Sequence, residues 1–158
     1  MQSTGLRVLV KAARDSGDEQ YGADARFLKI TEDVGLKYFA TRKMRDRNYE
    51  RQSLLADCGL APSIGGKVEF RFKRWRKYGF MTEVVETIQS RYGCGLYGLS
   101  TETKNEIDAD IEDLWCRSLD VGLDVADLHY GNIGWNKSGD MVILDVSRFT
   151  DSDGFNYE

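Results

Sequence analysis

The segment from Asn132 to Asp145 restricts the fold more than any other. Two short apolar runs, Asn132-Ile133-Gly134-Trp135 and Met141-Val142-Ile143-Leu144, flank the turn formers Asn136-Lys137-Ser138-Gly139-Asp140. That pattern predicts an antiparallel strand pair. A hairpin returns the chain to its starting point. Asn132 at its entrance and Asp145 at its exit are therefore brought beside one another. An Asn carbonyl and an Asp carboxylate are the oxygen donors that magnesium takes, and magnesium keeps several of its waters besides. Just upstream stands Asp127-Leu128-His129-Tyr130-Gly131-Asn132. It sets a second carboxylate at the start of the loop that leads into the hairpin. Phosphoryl transfer asks a protein for this kind of equipment: a carboxylate at the acceptor hydroxyl and metal ligands at the phosphates.

The rest of the chain supplies strands first and helices between them. Leu6, Val8 and Val10 alternate and suggest a first strand. Asp15 to Asp24 holds Gly17, Gly22 and several acids and reads as a loop. Phe27–Ile30 and Val34–Phe39 read as two strands joined by a turn at Thr31-Glu32-Asp33. A helix is predicted near Asp46 to Cys58, capped by Asp46 or Asn48, with Glu50, Leu54 and Cys58 on one face. Gly59 stops it and Pro62, the sole proline, lies just beyond. Two more strands follow, near Lys67–Phe72 and Gly79–Val85.

The next helix is predicted to begin near Thr103, where Thr103-Lys104-Asn105-Glu106 has the form of a capping box. Ile107, Ile111, Leu114, Trp115 and Leu119 make its apolar stripe, and Gly122 ends it. Strands and helices are segregated rather than alternating, so the class is α+β.

Asp-x-x-x-x-Asn, followed thirteen residues later by an Asp after an apolar run, resembles the catalytic and metal-binding segment of the protein-kinase-like superfamily. The wording Asp127-Leu128-His129-x-x-Asn132, with Arg148 three residues past Asp145, is closest to the aminoglycoside and choline kinase branch. Gly59-Leu60-Ala61-Pro62 is similar to that branch too. The resemblance implies that Asp127 orients or deprotonates an acceptor hydroxyl and that Asn132 and Asp145 ligate Mg2+. Val34-Gly35-Leu36-Lys37 resembles the third-strand motif whose lysine contacts the α- and β-phosphates of ATP, with Lys29 as its rival. Glu50 on the following helix would be the ion-pair partner of Lys37. Gly79 to Val85 resembles the fifth strand and hinge, so backbone groups of Glu83, Val84 and Val85 would meet adenine. Gly17 and Gly22 would serve as the phosphate loop.

The sequence departs from the family in three places. There is no GxGxxG, and acids surround the two glycines. Ser147 stands where the family's Asp-Phe-Gly has its glycine, and only thirteen residues follow Asp145. The implied fold is a two-lobe kinase with a much reduced, C-terminally truncated second lobe. It would have a β-rich lobe over residues 1–86 and a catalytic lobe over residues 87–158. A second copy or a partner protein is expected to cover the reduced lobe.

With 158 residues, 41% of them apolar, the chain is long enough for one domain or two small lobes. A net charge of -4 and a pI near 5.1 argue against a nucleic-acid partner. Cys58, Cys94 and Cys116 form no CxxC pair and His129 is the sole histidine, which argues against a Cys/His zinc site and fits a reducing cytoplasm, a host's if the gene is viral. The early apolar run Leu6–Ala13 is short and broken by Arg7 and Lys11, so neither a membrane span nor a signal segment is expected.

Arg71-Phe72-Lys73-Arg74-Trp75-Arg76-Lys77 could bind phosphate. It reads more simply as a strand running into an exposed turn with Phe70 and Phe72 inward. His129 is a structural or proton-shuttling residue of its loop. Asp108, Asp110, Glu112 and Asp113 read as a solvated helix face. Two functions follow from the resemblance. One is an ATP- and Mg-dependent phosphotransferase acting on a hydroxyl, the acceptor being a protein (the chain itself included) or a small molecule. The other is a catalytically inactive nucleotide-binding or interaction module.

Overall fold

Leu6, Val10 and Ala13 recur at helical spacing, and in a computed structural model they are the buried side of a helix, α1 (Thr4–Asp15). The structure describes residues 4–15, 17, 19–21, 25–125, 128–146 and 149–151. The expected first strand over Leu6, Val8 and Val10 is thus corrected. Val8 is 62% exposed while Leu6 and Val10 are each 1% exposed, a split that helical but not strand geometry produces. Each of those buried side chains contributes roughly 1.5–3 kcal/mol.

Among the described residues the contacts divide the chain into two compact units. One is Met1–Leu54 with Ser63–Val84, and the other is Leu55–Pro62 with Val85–Glu158. The expected boundary after residue 86 becomes a division at Val84/Val85, with residues 55–62 joined to the second unit.

The first unit is a five-stranded antiparallel sheet: β1 (Glu19–Tyr21), β2 (Arg26–Lys29), β3 (Val34–Phe39), β4 (Ile64–Phe72) and β5 (Trp75–Glu83), in the order β1-β2-β3-β5-β4. A strand over Glu19–Tyr21, inside the segment read as a loop, takes the place of the strand expected earlier. Lys37 therefore still falls in the third strand and Glu83 ends the fifth. α1 packs its apolar side on Leu28, Leu36, Tyr38, Val68 and Phe70. Phe70 is buried and Phe72 half-buried, with the β4–β5 turn at Lys73-Arg74 exposed, as the simpler reading of the basic segment has it.

β3 alternates, so Lys37 and Phe39 project from the face opposite Leu36 and Tyr38. That face meets α2 (Arg42–Asp57). Phe39 stacks on Phe80, and Tyr49 meets the Phe80 ring edge-on. α2 starts earlier than expected. The Thr41 hydroxyl accepts from the Met44 amide, so neither Asp46 nor Asn48 is the cap. At its far end Gly59 adopts φ +75, Leu60 N–H donates to Leu55 O and Gly59 N–H to Ala56 O, the paired bonds of a Schellman stop.

Polar side chains fasten α2 along the sheet. Arg45 Nη1 donates to the carbonyls of Val68 and Gly79, Arg45 Nε meets Asp46 Oδ1 at 2.6 Å, and Lys67 Nζ reaches the same oxygen at 3.1 Å. Burial pushes the Asp46 carboxyl up. The hydrogen bonds and charges of Arg45 and Lys67 outweigh that, and the group sits below the usual carboxylate range. A carboxyl whose folded pKa is depressed stabilises the fold above its unfolded pKa of about 3.9, and the contribution is lost as pH falls through the folded value. Asp46→Asn is expected to lower the melting temperature by a few degrees at pH 7, the worth of about 1 kcal/mol for a half-exposed pair. The gap between wild type and variant should close on acidification below about pH 4. A gap that persists unchanged at pH 2.5 would exclude the ion pairs as its cause.

The second unit packs α3 (Ile88–Tyr92), α4 (Thr101–Asp120) and two small strand pairs around Leu55, Leu60, Ile107, Leu114, Ile133 and Ile143. α4 is capped by Ser100, which accepts from the Thr103 amide, rather than by Thr103 itself. Its buried line is Ile107, Leu114 and Ser118. Trp115 and Leu119 are about 40% exposed, and Trp115 Nε1 donates to Asp124. The acids Asp108, Asp110, Glu112 and Asp113 are exposed. β6 (Leu123–Val125) pairs with β9 (Phe149–Asp151), a pairing that short sequence windows do not show. β7 (Ile133–Trp135) pairs with β8 (Met141–Ile143), the predicted hairpin. Among the described residues no helix is long and apolar enough to cross a membrane, and all three cysteines are free thiols.

Candidate functional site

In the second unit the hairpin register is Ile133 opposite Ile143, so Asn132 and Leu144 face each other at its open end. Leu144 N–H donates to the Asn132 carbonyl at 2.7 Å, and Asp145 is the next residue. Ile143 and Val146, on either side of that pair, are fully buried, which holds the exit of the hairpin in place while Asp145 stays half-buried. Asn132 is 9% exposed and closes a short 3-10 turn, Tyr130–Asn132. His129 Nδ1 accepts from Gly131 N–H at 2.9 Å, and His129 O accepts from Asn132 N–H at 2.9 Å. The histidine is thus the cap of this turn, which is its structural reading.

Tyr130 donates its hydroxyl to Asp108, and this bond, with burial and the acid's charge, raises the phenol above its usual pKa. Asp127 lies outside the described residues, as do Ser147 and Arg148.

The segment Leu60-Ala61-Pro62 belongs to the same unit. Ile143 N–H donates to Leu60 O at 2.8 Å, two residues before Asp145. Glu86 and Trp135 exchange both backbone bonds, at 2.9 and 2.8 Å. Gly134 permits this: a Cβ there would stand 2.8 Å from both Glu86 O and Val85 Cγ2. The chain just after the expected hinge is thereby tied to the strand that follows Asn132.

In the first unit Lys37 is 7% exposed, whereas Lys29, its rival, is 40% exposed and paired with Glu32 on the surface. Lys37 Nζ lies 3.4 Å from Gln52 Oε1. Gln52 Nε2 donates to Thr82 Oγ1 at 2.9 Å, and Thr82 Oγ1 donates to Ser63 O at 3.2 Å. The expected pairing of Lys37 with Glu50 is corrected. With α2 starting at Arg42, its inward residues are Arg45, Asn48, Arg51 and Gln52, and Glu50 is exposed, about 200° around the helix from Gln52. A Thr before a helical run was the legible signal for the earlier start. No apolar stripe could mark the buried side, because that side is largely polar.

Glu83 N–H donates to Ser63 O at 2.9 Å and Val84 N–H to Asp33 O at 3.1 Å. Of the three expected adenine contacts, Glu83 and Val84 have already committed their N–H groups within the fold. Val85 N–H has no partner among the described residues. Gly17 ends α1, its N–H donating to Arg14 O at φ +81, and is a helix stop rather than part of a loop between paired strands. Gly22 lies outside the described residues.

Among the described residues no three His, Cys, Asp or Glu side chains gather as a metal site. The oxygens of Asn132 and Asp145 nonetheless suit magnesium, a hard ion that needs few protein ligands.

No protein-family model matches the chain, and no curated protein matches it. Among solved structures it is similar to WbdD. A crystal structure of that protein superposes with a TM-score of 0.56 at 12% identity, over 84% of this chain and 32% of WbdD. A co-crystal of WbdD with the kinase inhibitor LY294002 gives 0.56 at 13% identity, over 85% and 33%. The chain spans about a third of WbdD's length, and at such identity the likeness is one of fold alone, a mixed α+β fold shared with that part of WbdD.

Proposed function

We propose that the chain binds Mg-ATP and transfers its γ-phosphate to a hydroxyl, with a protein, the chain itself included, as the first acceptor to test. The observation that carries this reading is the hairpin whose open end pairs Asn132 with Leu144, the residue just before Asp145, with buried neighbours around both. Asn132 and Asp145 would hold Mg2+, which on binding neutralises phosphate charge. Lys37 would contact the phosphates, Val85 would offer its N–H to adenine, and Asp127 would orient the acceptor hydroxyl. A two-lobe kinase arrangement, a cytoplasmic setting and a second copy or partner on the reduced lobe belong to the same proposal. WbdD's capture of a kinase inhibitor agrees with it.

A second reading, a nucleotide-binding module without transfer, is favoured by Gln52 standing beside Lys37 where an acid was expected.

Thermal unfolding with ATP and Mg2+, set against ATP with a chelator, tests binding. At a hundredfold excess over Kd a ligand of the folded state adds about 2.7 kcal/mol, a shift of several degrees. Intact mass after incubation then separates the two readings, since self-phosphorylation adds one phosphoryl mass and a binding module adds none. No metal-dependent shift at millimolar ATP would sink both.

A further inference from the structure

We infer that Gln52 and Thr82 are positioning residues for Lys37, forming a fixed relay that aims its ammonium at an anionic phosphate. The inference rests on the proposed phosphate role of Lys37 and adds what holds that lysine. An ammonium only donates, whereas a carboxamide donates at one end and accepts at the other. The Thr82 hydroxyl gives its hydrogen to Ser63 O at 3.2 Å and so accepts from Gln52 Nε2 at 2.9 Å. That choice leaves Gln52 Oε1 toward Lys37 Nζ at 3.4 Å. The flipped amide would set NH2 against NH3+, two donors face to face. Ser63 O is itself fixed, because it also accepts from Glu83 N–H at 2.9 Å while Ser63 N–H donates to Glu83 Oε1 at 3.2 Å.

Lys37, Gln52 and Thr82 are 7%, 1% and 6% exposed, so water does not replace a lost partner readily. A carboxylate beside a lysine holds it by charge and lets go on protonation. An amide holds it by geometry alone and has no proton to gain in the acid range. The order β4–turn–β5 supplies the far end of the relay, with Ser63 just before β4 and Thr82 near the end of β5, while Lys37 at the other end lies on β3.

The test measures the acylation rate of Lys37 against pH in nucleotide-free protein, with the rate at Lys29 as internal reference. Thr82→Val removes the acceptor that orients Gln52. A hydrogen bond to a charged group favours its charged form, so its loss should move the Lys37 profile down by about one pH unit and speed labelling about tenfold near pH 8. Thr82→Ser should restore the wild-type profile. Gln52→Glu should move it the opposite way, which general loosening of the unit cannot do, since loosening only accelerates labelling. A Thr82→Val profile equal to wild type, or equal shifts in the Val and Ser variants, overturns the relay. Protection of wild-type Lys37 by Mg-ATP is scored separately. Its absence removes the phosphate target and with it the nucleotide reading, while the relay is judged on the nucleotide-free profiles alone.

Discussion

Asp145→Asn is expected to weaken Mg-ATP binding by about 100-fold, roughly 2.7 kcal/mol, while leaving the fold in place. The substitution keeps the shape of the side chain and one oxygen but removes the negative charge. A divalent ion with few protein ligands depends heavily on that charge, because its site is tuned by ligand charge count. The fold should tolerate it. Ile143 and Val146 bury the hairpin exit, and the Leu144–Asn132 backbone bond does not involve the Asp145 side chain. Calorimetry with ATP at saturating and at chelated Mg2+ reads the effect. The metal-free affinity should be equal or slightly tighter in the variant, since a carboxylate near the phosphates is lost, and the magnesium-dependent gain should disappear. An undiminished gain would move the metal away from this hairpin.

The hairpin was legible because its information is local. Apolar residues flank Asn136, whose side chain accepts from the Ser138 and Asp140 amides, and Gly139 takes φ +85. These are contacts over a few residues, and the residue types announce them. The same holds for the β2–β3 turn, where Thr31 Oγ1 accepts from Val34.

The N-terminal helix was misread for a physical reason: the short window Leu6–Ala13 fits both periods, Leu6, Val8 and Val10 alternating as in a strand while Leu6, Val10 and Ala13 recur at helical spacing. Only the environment, with the sheet side chains Leu28, Leu36, Tyr38, Val68 and Phe70 gathered under Leu6, Val10 and Ala13, decides between them. β6 and β9 were invisible for the opposite reason. Each has three residues, and each exists because the other is far along the chain.

The partner of Lys37 was the costliest miss. A search for opposite charges selects Glu50, because charge is what a sequence displays. The buried side of α2 instead carries Arg45, which donates to strand carbonyls, Asn48, whose Nδ2 donates to Met44 O of its own helix, and Gln52, which donates to a threonine hydroxyl. Such a surface looks solvent-facing to any hydropathy scale. What could be read was Lys37 itself, since a lysine flanked by Leu36 and Tyr38 on a strand must point the other way.

Asp127→Ala is expected to lower phosphoryl transfer by about 10²–10⁴-fold and to leave Mg-ATP affinity near wild type. The carboxylate is proposed to act on the acceptor hydroxyl, so it matters when that oxygen attacks and little when the nucleotide merely binds. The proposed nucleotide contacts, Lys37, Val85, Asn132 and Asp145, remain in the variant. Taking a negative charge away from the phosphates could only relieve repulsion, which predicts equal or slightly tighter binding. The residues on either side argue that the loop survives the change: Val125 is 3% exposed, and Leu128 packs against the core of its unit. The measurement pairs nucleotide affinity with label transfer on one preparation. A fall in kcat with unchanged affinity is the signature of a group used only in the transition state. Joint loss of binding and transfer would make Asp127 a metal ligand or a structural residue. An active wild type matched by an equally active variant would place the acceptor-orienting carboxylate elsewhere in the chain, and the kinase reading of Asp127-Leu128-His129 would fail with it.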